Sequence, residues 1–588
     1  MKISKTMFKE FSRCNRVYHL DELYKKQGFS SKFDSENEEI LEILNLMFDE
    51  EGEDLIADNA KVEAMMEYYN QVEILAMEMA KNKFNLNILY GNTFKSQTKC
   101  SFIDQSNHEF YSYLDGFCEE EESIYVFEVK ATTSKKFREE FKTKDNGKES
   151  LFIYNHSDIL VFNPNFIQTK MVEKAFNKLS DIGKYIYDCA VTYYYLKNDL
   201  KYKNKLVKFY LAVLNSDYVY DGVSSLKEEN KDFKKVIDYI DITSLLEEYY
   251  LTIHEEKQVL INNLKREDIP KIEYGKKCGF KKQPCMFFPV CWDKLHVKGS
   301  ILEYFRVTAS KGIDLYEKLN NDEISLLDVS DNMLTPNQLI QKNVFIKDYV
   351  HIDKEKISKA IKLIKHPIYY LDFETFASPV PRFKGEKPYA QSLFQYSLHI
   401  EKEPMKCDFD KDHYEYLVKD TSDHRRELIE KLIKDIDLSR GGSVIVYNES
   451  FESTRLKEMA LVFPEYEEEI NKIRNHLFDL QNLLKAKSSL YQSLGYDEEE
   501  AKLNPYYHKD LVGSYSIKKV LPIFSNLTYK TLDIQNGGEA VIAYAMLDKL
   551  ETEEKEILRN NLIKYCKQDT WAMVLILHNI IKEIEKWD

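Results

Sequence analysis

The chain has 588 residues, of which 43% are hydrophobic and 31% charged, with a formal net charge of -16 at pH 7. This composition excludes a disordered or fibrous chain, and only 18 glycines and 13 prolines exclude a collagen-like or linker-dominated one. The acidic balance argues against a histone-like binder held to nucleic acid by bulk charge, while leaving room for a local basic channel. Nine cysteines, an odd number over so long a chain, do not read as a disulfide framework. No run of about 18 apolar residues reads as a membrane span. The opening MKISKTMFKEFSRC lacks the apolar core of a signal peptide. The expectation is a cytoplasmic protein with no membrane partner, in which clustered cysteines mark a metal or redox site.

In chain order, a helix is predicted over residues 4–24 with Ser4 as N-cap. An acidic stretch follows over 34–63, then an amphipathic helix over 72–84. The runs NLNILYG, KCSFID, EFYSYLDGFC and SIYVFEVKATT alternate in polarity as strands of one sheet do. VKFYLAVLN is a further strand, and a basic, cysteine-bearing stretch closes the half at 257–295. Residues 301–345 read as helical connections with polar turns. From 346 a second α/β pattern begins. HPIYYLDFETF and SLFQYSLHI are adjacent strands, GGSVIVYNES is a strand running into a helix, and NNLIKYCKQDTWAMVLILHNIIKEI is a long closing helix. The division is therefore 1–300, a connector over 301–345, and 346–588. The acidic runs at 119–122 and 498–500 read as turns or solvated faces.

LDGFCEEEESIYVFEVKATT places Asp115 at the end of one strand and Glu128 and Lys130 on the next, with an acidic hairpin turn between. Residues two apart on a strand share a face, so Glu128 and Lys130 project together. Phosphodiester hydrolysis needs such a set. Two carboxylates hold divalent ions that polarise the phosphate and acidify an attacking water, and a lysine positions that water or neutralises developing charge. The plainer alternative is a surface strand with a salt-bridged pair.

CGFKKQPCMFFPVCW supplies Cys278, Cys285 and Cys291 at a C-x6-C-x5-C spacing, unlike the paired C-x-x-C of zinc sites. Cys14 in EFSRCNRVYHL is the candidate fourth ligand, and four thiolates suit an iron–sulfur cluster or a structural zinc ion. Cys100, Cys118, Cys189, Cys407 and Cys566 lie on apolar stretches and read as core. Cys14, Asp115, Glu128-x-Lys130 and the three later cysteines together resemble the RecB-type PD-(D/E)XK nucleases with an iron–sulfur clamp. That group includes CRISPR-associated RecB-like exonucleases and AddB-type helicase–nuclease subunits. The resemblance covers residues 1–295. It implies a 4Fe–4S cluster on Cys14, Cys278, Cys285 and Cys291, Mg2+ or Mn2+ on Asp115 and Glu128, and Lys130 as the catalytic lysine. It also implies a Gln-x-x-x-Tyr-like element, where this chain has Thr192 in place of the glutamine. An upstream helical ligand is implied too, for which only Gln71 or Glu73 is on offer.

YYLDFETFASP sets Asp372 and Glu374 two apart on an apolar strand. Buried like charges are strongly unfavourable without a cation between them. VIVYNESFESTRLKEMA adds Asn448 and Glu452 at a strand-to-helix turn, and YCKQD adds Tyr565 and Asp569 one helical turn apart. Four such acids suit two metal ions, with Tyr565 orienting the attacking water. Taken singly, Glu452 is a helix N-terminal charge and Asp569 an exposed helix residue. Taken in order, they resemble the DnaQ-like 3′–5′ exonucleases, whose D-x-E, N-x-x-x-D and Y-x-x-x-D motifs sit on a ribonuclease H-like fold. Glu452 stands where the second motif has Asp, and Asp479 is a reserve ligand. More closely, FETFASPVP, VYNESFE, FDLQNLL, GSYSIKKVLP, NGGEA and YCKQDTWAM resemble domain of unknown function 2779 over residues 365–575, a domain commonly fused behind a RecB-like iron–sulfur nuclease.

GSYSIKKVLP offers Ser514, Ser516, Lys518 and Lys519 at a helix start, which suits a DNA phosphate as well as an ordinary cap. The run 257–282 holds eight basic residues (Lys257, Lys265, Arg266, Lys271, Lys276, Lys277, Lys281, Lys282) against three acidic ones. It reads as a strand-tracking surface or a solvated face. No Walker-type loop is present, so unwinding would need a separate helicase. The sequence therefore predicts an α/β chain: a restriction-endonuclease-like domain with an iron–sulfur clamp, then a ribonuclease H-like, DnaQ-type exonuclease domain. The expected activity is metal-dependent cleavage of DNA in repair, recombination or defence. The rivals are RNA as substrate, a degenerate N-terminal domain that only binds nucleic acid, and a non-enzymatic iron–sulfur scaffold.

Overall fold

The computed structural model describes residues 1–29, 31, 33, 59–91, 97–142, 147–166, 169–223, 235–280 and 284–585. The acidic stretch expected from residue 34 lies largely outside them. The chain is a mixed α/β protein with two compact units. One comprises residues within 1–293 together with Ser378–Tyr389, and the other Lys294–Ala377 with the chain from Ala390 onward. Among the described residues no helix is long and apolar enough to cross a membrane.

The first unit starts with the short strand Lys2–Ser4 and helix α1 (Lys5–Arg13). Ser4 caps the helix, its Oγ accepting from Met7 N at 3.1 Å. The single helix expected over 4–24 is in fact two, because Cys14 is extended (φ -149, ψ 127) and a second helix begins at Val17. The central layer is a seven-stranded mixed sheet. Its order is Leu89–Tyr90, Gly116–Glu119, β1 (Ser123–Thr133), β2 (Leu206–Leu214), Ile237–Asp241, Leu160–Phe162 and Phe152–Tyr154. Strand β1 is antiparallel to Gly116–Glu119 across the acidic turn and parallel to β2, with Glu128 opposite Leu211. Helix α2 (Gly183–Asn198) is buried at every position from Gly183 to Leu196 except Lys184, and so is a core helix rather than a surface one.

The second unit is built on a five-stranded sheet ordered His413–Leu417, β4 (Gln391–Glu401), β3 (Ile368–Ala377), β5 (Ser443–Val446) and β6 (Leu477–Asp479). The first three strands form an antiparallel meander, while β5 runs parallel to β3 and β6 parallel to β5. Helix α3 (Glu449–Val462) follows β5, α4 (Ile517–Phe524) lies later in the chain, and α5 (Thr552–Glu585) closes it. The stretch read as a connector belongs to this unit. Gln341 accepts from Phe305 N (2.8 Å) and donates to Glu303 O (2.9 Å), and Gln338 donates to Phe305 O (2.8 Å), so its backbone is tied in through buried amides.

Helix α5 is fastened to β4 by a buried polar network. His399 Nε2 donates to Phe409 O (3.1 Å), and its Nδ1 accepts from the Thr570 hydroxyl (2.8 Å). Ser397 Oγ lies 2.9 Å from both Thr570 Oγ1 and His413 Nε2. Burial pushes His399 down to about 4 and His413 to about 3, the latter helped by the neighbouring His399 and Lys567. Unfolded imidazoles take up a proton below about 6.5, which these folded ones refuse until far lower pH. Their contribution is thus present above 6.5 and is lost as pH falls toward 4. The melting temperature of this unit is expected to hold between pH 8 and 7 and to drop from pH 6.5 to 4, with a shallower drop in His399→Gln. Equal melting temperatures at pH 7 and 5 would contradict the assignment.

Candidate functional site

The sequence-predicted residues fall into three groups, two in the first unit and one in the second. On β1, Glu128 and Lys130 project to one face and are 1% and 6% exposed. Asp115 sits in the bend between Glu109–Leu114 and Gly116–Glu119, and its Oδ2 accepts from Val129 N at 2.8 Å. Glu128 Oε1 receives two ammonium groups, Lys5 Nζ at 2.7 Å and Lys130 Nζ at 2.9 Å. Buried Asp188 of α2 pairs with Lys9 at 2.8 Å and with Lys5 and Lys130 at 3.2 Å each. Burial works to lower the Lys5 pKa, but Asp188 and Glu128 overcome it and drive it up. Burial works to raise Asp188, and Lys130, Lys5 and Lys9 hold it well below the usual carboxylate range. Glu128 Oε2 is buried with no hydrogen-bond partner.

Lys5, Lys9 and Asp188 are therefore part of this site although sequence reading passed over them. The available signals were an i,i+4 lysine pair on the first helix and one acid inside the aromatic run GKYIYDCAVTYYYL. Thr192, where a glutamine was sought, is fully buried with its hydroxyl 3.2 Å from Ser112 Oγ, a packing role. Glu73, one of the two upstream candidates, is buried and accepts from Gln97 Nε2 at 3.4 Å.

The four cysteines of the second group come from separate segments. Cys14 interrupts the N-terminal helices and lies near enough to Cys285 and Cys291 to help raise both thiols. Cys278 O accepts from Cys285 N at 3.0 Å, and the charge of Cys278 is felt by Cys291. Burial pushes Cys285 up to about 12 and raises Cys291, which Arg16 partly offsets. Arg13 Nε donates to Lys277 O (2.6 Å), Arg16 to Pro270 O, and Asn263 to Asn15 O (2.8 Å), so both ends of the chain segment are laced together. No three of the four sulfurs fall within 4.8 Å of one another. A tetrahedral zinc with Zn–S of about 2.3 Å would bring them to about 3.8 Å.

In the second unit the central strand β3 carries Asp372, half-buried, and Glu374, 8% exposed. Asp372, Glu374 and Cys566 of α5 each offer a ligand atom, all within 4.8 Å of one another. Cys566 Sγ donates to Asp372 Oδ2 at 3.5 Å. Its thiol is raised well above the ordinary value by burial and then by the charges of Asp372, Glu374 and Asp569. Asp569, one turn further along α5, accepts from Tyr529 OH at 2.6 Å. Tyr565 is buried with its ring 6.1 Å from that of Tyr529. Glu452 is buried in the first turn of α3 and stands outside the 4.8 Å group. Asp479, the reserve ligand, accepts from the N–H groups of Gln481 (2.9 Å), Asn448 and Glu449 (3.3 Å each), so it braces the turn into α3. Cys566 and Tyr529 were not anticipated. Neither carries a spacing signal, and the thiol was read as plain core.

Lys518 opens α4 with its Nζ 5.8 Å from the ring centre of Tyr529, while Lys519 is exposed. In the basic run Lys265, Lys271 and Lys276 are exposed. Lys257 is 8% exposed and lies over Phe102 and Tyr194, and Arg266 and Lys277 pair with Asp268 and Glu273. Lys281 and Lys282 lie outside the described residues.

Residues 369–516 match the family described as Domain of unknown function (DUF2779). The chain is 27% identical to the uncharacterized protein UU173 of Ureaplasma parvum over 42% of its own length and 35% of that protein. It is 30% identical to the uncharacterized protein MG366 of Mycoplasma genitalium over 38% of its length and 33% of that protein. A Mycoplasma pneumoniae homologue of the latter is 27% identical over 38% and 33%. The chain thus spans about a third of the length of these curated relatives. No solved structure matches it.

Tyr529→Phe removes a donor from the buried Asp569 carboxylate. It is expected to lower unfolding free energy in urea by about 1–3 kcal/mol. Lys519→Ala, at an exposed position, should change it by less than about 0.5 kcal/mol. Equal midpoints for the two variants would refute the Tyr529–Asp569 bond.

Proposed function

We propose that the chain is a metal-dependent nuclease that hydrolyses phosphodiester bonds at the carboxylate site of its second unit. The observation that carries this is the gathering of Asp372, Glu374 and Asp569 around the buried Cys566 thiol. Clustered carboxylates of this kind are stable at neutral pH when a cation joins them, and the donor set is all oxygen apart from one protonated thiol, which suits Mg2+ or Mn2+. The pair Asp372 and Glu374 lies on the central strand, next to the point where the meander gives way to parallel strands. That placement supports the ribonuclease H-like, DnaQ-type reading, since ligands of α/β sheets gather at such switch points.

In this reading Asp372, Glu374 and Asp569 hold the ions, with Glu452 as a further ligand once a second ion is present. The ions would supply charge neutralisation at the phosphate and a water acidic enough to attack it. Tyr529 fixes Asp569 through one oxygen. Tyr565 orients the attacking water. Lys518, stacked at Tyr529, meets a neighbouring phosphate of the strand, with Lys519 outside it. DNA is favoured over RNA because the first unit resembles nucleases that act on DNA, and processing of ends in repair, recombination or defence is the matching task.

The first unit is read as a RecB-like, restriction-endonuclease-like module whose cysteines hold a 4Fe–4S cluster. Four cysteines without the paired C-x-x-C spacing of zinc sites support the cluster over zinc. Its own carboxylates are already matched by lysines, which favours a division of labour in which it binds nucleic acid and the second unit cuts.

The test is cleavage of end-labelled single-stranded DNA with Mn2+ or EDTA by protein purified without oxygen. Asp372→Asn is expected to lower the rate more than about a hundredfold, since even outer residues of a metal site are worth 10–100-fold. Lys130→Ala should keep at least about half of it. Absence of cleavage of both DNA and a matched RNA by the unaltered chain would sink the nuclease reading. The same preparation should hold about four irons per chain, and Cys285→Ser should lose most of them; zinc in their place would overturn the cluster.

A further inference from the structure

The first carboxylate site holds more positive charge than its resemblance calls for. Besides Lys130, the N-terminal helix inserts two lysines whose side chains are only 17% and 23% exposed. Lys5 Nζ lies 2.7 Å from Glu128 Oε1 and 3.2 Å from Asp188 Oδ2, bridging two buried carboxylates from different elements. A bridging cation between two acids is what a metal ion would be. Three ammonium groups thus face the three carboxylates Asp115, Glu128 and Asp188. Buried ionic groups are tolerated when mutually paired, and removing one partner leaves an uncompensated charge at large cost. A divalent ion added here would confront the Lys5 ammonium at contact distance, so the residues present do not fit one.

The helix that carries Lys5 is not free to swing away. Its start is capped by Ser4, which is also paired in the strand Lys2–Ser4 against Glu109–Leu114. Its end is fixed where Lys178 donates to Ser12 O (3.2 Å) and Arg13 to Lys277 O (2.6 Å), beside Cys14. Against this background Glu128 Oε2, buried and unpartnered, is the atom that a cation would take if the lysine were gone.

We propose that the Lys5 ammonium stands in the cation position of the first carboxylate site and closes that site to divalent ions. The inference rests on the reading, taken from the resemblance, that Asp115 and Glu128 form a divalent-ion site. Lys5 is accordingly a residue that decides metal occupancy, and the first unit meets nucleic acid with a neutral, metal-free site.

The test uses the full chain with its cluster, the second site disabled by Asp372→Asn and Asp569→Asn, and Mn2+ alone as probe, free and bound ion being read by electron paramagnetic resonance. This parent is expected to bind Mn2+ weakly. Lys5→Met, which keeps the aliphatic stem in its buried channel, should tighten binding at least about tenfold, and adding Glu128→Gln should abolish the gain. Lys5→Gln, which keeps a donor toward Glu128 without the charge, gives the same readout if Lys5→Met lowers the melting temperature. Tight Mn2+ binding by the parent that Glu128→Gln removes and Lys5→Met leaves unchanged would overturn the proposal and leave the divalent-ion reading intact. No Mn2+ bound by the parent or by either Lys5 variant, with melting temperature and iron content preserved, would overturn both.

Discussion

A carboxylate on a buried strand must be neutralised, and what neutralises it decides what the site can do. Each unit of this chain sets acids on an apolar strand, and each meets the requirement differently. Around Glu128 the fold supplies ammonium groups from three positions, including two on the first helix. Around Asp372, Glu374 and Asp569 the donors include a thiol and a phenol, which orient an oxygen and carry no charge of their own. The Cys566 thiol is held protonated by burial first, and the three neighbouring carboxylates add to it by making a thiolate unfavourable. The same residue type on the same kind of strand is therefore met by ammonium groups in one unit and by neutral donors in the other.

Helix α1 links the two features of the first unit that the sequence presents separately. Nine residues long, it has Lys5 and Lys9 on one face toward Glu128 and Asp188, and it ends at Cys14 near Cys285 and Cys291. The rise of about 1.5 Å per residue puts its two ends some 12 Å apart. Whatever fixes the cysteine end fixes the register of the lysines at the other. The break at Cys14 serves this arrangement: an unbroken helix over 4–24 would keep Cys14 on a helical path, whereas the extended residue lets the chain turn there.

Much of this was legible in the sequence, and the failures have physical causes. Strands with alternating or wholly apolar patterns were found, as were the acid pairs on them, because a charge inside an apolar run conflicts with burial and so stands out. Asp188 offers the same conflict within α2, but in a helix rich in tyrosine the local pattern hides it. Lys5 and Lys9 look like any solvated i,i+4 pair, since nothing local says that the helix lies face down on a carboxylate 123 positions away. Lys257 fails in the opposite sense. It sits in a basic run, yet burial lowers its pKa and places its ammonium near two aromatic rings, so sequence charge density overstated the surface. Asp479 was a reasonable ligand by position, but it accepts from the backbone N–H groups of Asn448 and Glu449 at the start of α3 and from that of Gln481.

The closing helix shows how tightly site and scaffold are joined in the second unit. Tyr565, Cys566, Asp569 and Thr570 fall within six residues, and a helix turns about 100° per residue, so one patch of α5 must face the carboxylates while the adjoining one faces β4. Thr570 meets Ser397 and His399 of β4. Ser397 is the register partner of Asp372 on β3, so the strand residue that anchors the helix lies directly opposite the acid that the helix serves. A shift of α5 by a single residue would break the hydroxyl–imidazole contacts and rotate Asp569 away from Asp372 together. Both histidines are held uncharged by burial, which makes this anchor a set of neutral hydrogen bonds beside a cluster of negative charge. A protonated imidazole there would add positive charge beside the carboxylates, which the buried, neutral anchor does not.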